Sequence, residues 1–187
     1  MQCVSRFGAA ICLLVLAAST GAQEESPFPG AKPQPEHEWL KKFVGEWDTS
    51  AEASTGPGQP PLKCQGTEVV RAIGEFWVVA ELQSEMFGTP ITAIQSIGYD
   101  SKSKAFIGTW LDSSNEHLWK YKGSLDDTGK ILTLEAEGPN MLVPGETSLY
   151  RDIYEFKSAD HMALKSQMQG PDGAWVTFMT GEARRKK

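Results

Sequence analysis

The chain has 187 residues, 40% of them apolar, and a formal charge of −6. That is enough apolar material for one sizeable core, and an acidic chain without a clustered basic face argues against nucleic acid or anionic lipid as a partner. The three cysteines and three histidines show no ligand spacing, so neither zinc nor another metal is expected.

Residues 1–22 read as a secretory signal. Arg6 precedes an apolar run from Ala9 to Ala18, and small residues continue to Thr20-Gly21-Ala22. Cleavage is expected after Ala22, and the run is too short to span a bilayer as a mature helix. The mature chain is therefore expected to be secreted or periplasmic, without stable membrane insertion. Loss of Arg6 moves the balance from −6 to −7, and loss of Cys3 and Cys12 leaves Cys64 alone. No intrachain disulfide is then possible, and Cys64 reads as a packing residue. Residues 23–34, rich in Pro, Glu and Gly, read as a linker to a single domain over 35–185.

From Pro35 the pattern is helical. Proline suits the first turn, where its missing N–H would be unpaired anyway. Glu36 and Glu38 complement the positive end of the helix dipole, and Lys41 and Lys42 the negative end. Trp39, Leu40, Phe43 and Val44 form one apolar stripe, and Gly45 is the expected left-handed cap. A helix this short does not persist without tertiary contacts, so it is expected to plug one end of the strand-rich remainder. His37 reads as a helix-surface or cap residue.

From Glu46 onward the chain is strand after strand. Gly56 to Pro61 is a rigid loop, and Gly74-Glu75 suits a two-residue hairpin turn. Asp100 to Ser103, Asp126 to Gly129, Ser158 to Asp160 and Pro171 to Gly173 mark further turns, with Gly138 to Gly145 as the longest internal loop. Between them residues alternate with period two. Val78, Ala80, Leu82 and Ser84 share one face of Phe76–Met86, and Phe106 and Trp110 share one face of Ala105–Leu111. His117, Trp119 and Tyr121 share one face of Glu116–Lys122. The expected fold is all-β: an antiparallel up-and-down barrel of about ten strands with one N-terminal plug helix. The basic tail Arg184 to Lys187 reads as a solvated end.

Pro35-Glu36-His37-Glu38 leads into Leu40 and Gly45-Glu46-Trp47. Then come Gly98-Tyr99-Asp100, Gly108-Thr109-Trp110-Leu111-Asp112 and Gly170-Pro171-Asp172-Gly173. In this order the set resembles the bacterial domain-of-unknown-function family numbered fifteen seventy-nine, over roughly Pro33 to Arg185. The resemblance implies a calycin-type barrel, similar in outline to lipocalins, fatty-acid carriers and haem-binding nitrobindins. It gives Gly45 and Trp47 a structural role and transfers no catalytic residue.

The candidate binding residues are Trp110, Asp112, His117, Trp119 and Tyr121, which neighbouring antiparallel strands would bring together. They suit a pocket for a small apolar or planar ligand; the same aromatics would equally fill a small barrel. Asp112 with His117 could form an acid–base pair, and Glu81 could face inward near Arg71. His117 or His161 could hold haem iron, although no cofactor motif is present. Asp126-Asp127-X-Gly129 resembles a calcium loop but lacks the further acidic ligands. Three functions remain in play: an exported barrel binding a small hydrophobic ligand, a solidly filled envelope interaction module, and a barrel enzyme using Asp112 and His117. No nucleophile or phosphate-loop motif supports the third.

Overall fold

The computed structural model describes Gly30, residues 32–56, residues 58–86 and residues 88–187. The signal reading for 1–22 and most of the linker reading for 23–34 lie outside these residues. The compact unit Pro33–Lys187 is a closed antiparallel barrel. Helix α1 (Pro35–Leu40) runs into a 3-10 turn, Lys41–Phe43. The first five strands are β1 (Gly45–Ala53), β2 (Leu62–Ile73), β3 (Trp77–Met86), β4 (Thr89–Asp100) and β5 (Ala105–Asp112). The remainder are β6 (Trp119–Leu125), β7 (Ile131–Pro139), β8 (Thr147–Ser158), β9 (His161–Gln169) and β10 (Trp175–Arg185). Each strand pairs with its sequence neighbours, and β1 closes on β10 from Trp47↔Arg185 to Ala53↔Met179. Closure removes the exposed sheet edges that an open meander would leave.

The helical stripe does what its spacing predicts. Trp39, Leu40 and Phe43 are buried against the barrel end, and Val44 packs beside them. Trp39 donates its indole N–H to Gly129 O at 2.7 Å, tying the helix to the β6–β7 turn. Trp47 is fully buried and donates to Phe43 O at 2.8 Å. With Ile97, Phe106, Leu132 and Leu134 it fills this end of the barrel. Each such side chain contributes about 1.5–3 kcal/mol by leaving water. Gly45 has φ +141°, and a Cβ there would run into the Arg185 guanidinium, so both its conformation and its neighbour demand glycine.

Several local expectations are corrected. His37 is buried, not at the surface: its Nδ1 accepts from the Gln34 backbone N–H at 2.8 Å, and its Nε2 lies 3.0 Å from Tyr99 O. It does cap the helix, but as a buried strut between the N-terminus of α1 and β4. The β2–β3 turn has three residues, Gly74 to Phe76, because Ile73 pairs with Trp77. β6 begins at Trp119, since Asn115 Oδ1 captures the His117 N–H and holds that residue in the preceding loop. Gly138 lies inside β7, where the Trp119 ring covers its bare face. Arg185 is no solvated end: it donates to Val44 O at 2.5 Å and Lys42 O at 3.0 Å.

Candidate functional site

Inward-facing residues of β1, β2, β3, β4, β5 and β8 to β10 enclose a cavity of about 200 Å³. The plug helix fills the barrel end that carries the β2–β3, β4–β5, β6–β7 and β8–β9 turns. The cavity lies toward the opposite end, where Met86, Ile91, Ser114 and Met179 form its outer wall. Leu82, Trp110, Met162 and Leu164 make its body apolar. Trp110 and Leu82 reach it because both strands alternate with their small or apolar residues inward.

At its floor stands Glu68. It pairs with Trp47 on β1 and Leu82 on β3, and so shares the inward face of β2 with Cys64 and Val70. Glu68 keeps some surface open because it lines the cavity, yet its carboxyl sits deep among protein atoms. Loss of hydration pushes it up to about 7. Among the described residues no hydrogen bond or ion pair reaches it. A second, smaller void of about 10 Å³ lies between Glu68, Gln95, Tyr154 and the plug residue Phe43. Tyr154 accepts from Gln95 Nε2 at 2.8 Å, and burial with the nearby Asp152 charge raises its phenol well above the ordinary value.

Beside the cavity lies a closed polar network. Asp152 accepts from Tyr121 Oη and from Ser166 Oγ, each at 2.5 Å. Burial pushes the Asp152 carboxyl up, and these two donors oppose it. Both carboxylate oxygens are thus occupied by neighbours on β6 and β9.

Residues 32–185 match a family model described as "Protein of unknown function (DUF1579)". The chain belongs to the DUF1579 family. No curated protein matches the chain. Among solved structures this DUF1579 barrel is similar to Rv2717c from M. tuberculosis. That match has a TM-score of 0.61 and 15% identity, covering 83% of this chain and 100% of that one. It is also similar to an S-type phycobiliprotein lyase from Guillardia theta, with TM-score 0.55 and 11% identity, covering 81% and 93%. Both likenesses show the fold, a lipocalin-like barrel.

Of the five residues singled out in the sequence, Trp110 and Asp112 line the cavity of the DUF1579 barrel. Trp110 donates to Asp112 Oδ2 at 3.0 Å. Burial pushes the Asp112 carboxyl up, but bonds from Ser114, Trp110 and Asn115 together hold it below the ordinary range. Trp119 sits opposite Trp110 in the β5–β6 register but turns its ring to Gly138, Tyr150 and His117. Tyr121 belongs to the Asp152 network. His117 points its Nε2 at Glu137 O, 3.3 Å away, and shares no hydrogen bond with Asp112; Asn115 stands between them. Glu81 faces outward, 3.4 Å from Gln83 Nε2, and not inward near Arg71.

None of the three histidines lines the cavity, and among the described residues no cluster of three or more metal-binding side chains occurs. Asp126 accepts from Thr128 Oγ1 and from the N–H groups of Lys130 and Ile131, so its oxygens serve the hairpin turn. No described helix is long and apolar enough to cross a membrane. Glu68 and Tyr154 are the site residues that the sequence reading missed. The signal was present for Glu68: an acidic residue in phase with Cys64 and Val70 on the inward face of β2.

Proposed function

We propose that this chain is an exported barrel that binds a small apolar or amphipathic molecule in the cavity between Trp110 and Glu68. The observation that carries the reading is the cavity itself, about 200 Å³ with an apolar body and a few polar groups at floor and rim. An engineered apolar cavity of about 150 Å³ takes benzene, so the ligand has the size of one substituted ring or a short chain. That size sits poorly with haem, and it counts against the solidly filled module. The N-terminal pattern over residues 1–22 supports export. Asp112 and His117 are not in contact, which removes the reason for assigning them as acid and base.

Ligand entry from the end opposite the helix would bring the molecule against Trp110. Titration with a panel of small aromatic and aliphatic compounds is expected to change tryptophan emission, and the change should vanish in Trp110→Phe. Emission that ignores the whole panel would sink the reading.

A further inference from the structure

Of the three carboxyl groups in the cavity wall, one receives no hydrogen bond among the described residues. Glu68 lines the space and receives no donor among the described residues. Its neighbours are differently placed. Asp112, in the same wall, already accepts from Trp110, Ser114 and Asn115. Glu182 contributes to the wall but turns its carboxyl outward to His161. Tyr154 receives one hydrogen bond from Gln95, which leaves its hydroxyl a second lone pair and its own proton.

Charge then decides the class of head group. Among the described residues no Lys, Arg or His lines the cavity. Above about pH 7, where Glu68 is ionised, a ligand carboxylate, as on a fatty acid, would stand against it in a poorly hydrated site with no cation among the described lining residues. A nitrogen head bearing N–H groups has the opposite character and would satisfy both free acceptors at the floor.

Resting on the ligand-binding reading above, we infer that the cavity takes a small apolar molecule carrying a basic nitrogen. Its N–H groups bond the Glu68 carboxyl and the Tyr154 hydroxyl, and its ring or chain lies among Leu82, Trp110, Met162 and Leu164. A carboxyl facing a small, mostly apolar cavity is poorly hydrated, and such a ligand supplies it with a partner.

Toluene, benzylamine and benzoate separate the contributions, since they share a ring and differ in the head group. Titrated calorimetrically into the purified protein at pH 8, where Glu68 is ionised, benzylamine is expected to bind at least ten-fold tighter than toluene, and benzoate at least ten-fold weaker. In Glu68→Gln the benzylamine advantage should fall to less than two-fold, while Glu68→Asp should keep part of it. Toluene binding as tightly as benzylamine to the wild-type protein would overturn the nitrogen inference and leave the cavity reading standing. A benzylamine preference that survives Glu68→Gln would overturn the role of Glu68. Binding by none of the three would overturn both readings. The wild-type series needs no variant, so a folding defect in either substitution does not shield the proposal.

Discussion

Arg185 lays its guanidinium 4.1 Å above the Trp47 ring. From there it donates to Val44 O at 2.5 Å, Lys42 O at 3.0 Å and Ala159 O at 3.0 Å. One side chain thus joins the end of the helical segment, the first strand and the β8–β9 turn, and satisfies carbonyls that a helix end leaves without partners. Arg185→Ala is expected to lower stability by about 2–3 kcal/mol, and Arg185→Lys to recover less than half, because an ammonium lacks the planar fork. Urea midpoints for the three proteins check this.

Asp152 is held by Tyr121 on one oxygen and Ser166 on the other. Asp152→Ala strands two buried hydroxyls and is expected to cost about 3 kcal/mol. Tyr121→Phe removes one donor and should cost about 1–2 kcal/mol. The double variant is expected to cost less than the two single losses combined, which a double-mutant cycle in urea measures.

Glu68 gives stability a pH dependence of known sign. Its folded value of about 7 lies above the ordinary 4.5, so between these limits the native state binds more protons than the unfolded one. Stability from this group therefore falls as pH rises through about 4.5 to 7 and is then constant, a loss of up to about 3 kcal/mol. Glu68→Gln should match the wild type at pH 4.5 and exceed it by about 2–3 kcal/mol at pH 8. Comparison of the two proteins cancels the contributions of Asp152 and Asp112.

Gly138 lies under the Trp119 ring, which packs in turn on Tyr150 and His117. A methyl group there has nowhere to go unless the indole moves. Gly138→Ala is expected to cost about 1–3 kcal/mol, and Gly138→Ala with Trp119→Leu should recover most of it. Thermal melts of the pair decide the matter.

The barrel was legible because its signals are local. Alternation in Phe76–Met86 and in Ala105–Leu111 assigns faces within one strand, and the Trp39–Phe43 stripe needs only helical spacing. The features that failed to show depend on partners far along the chain. Trp119 looked like a pocket residue until β7 placed Gly138 beneath its ring. Tyr121 looked free until β8 brought Asp152 to its hydroxyl, and Arg185 looked solvated until closure set it on Trp47. Glu68 was missed for a different reason. β2 carries apolar Val69 and Ile73 on its outer face and Gly66 and Glu68 on its inner one, so its alternation is too mixed to draw the eye. The feature that breaks the pattern is the one that marks the site.

Ligand binding in the barrel is tested most directly by native mass spectrometry of the gently purified protein, followed by the same under denaturing conditions. A binding barrel should show a mass excess, on the order of a molecule with one ring, that disappears on denaturation, or that appears when benzylamine is added to the empty protein. A bare polypeptide mass that stays unchanged with benzylamine and toluene in excess would contradict it.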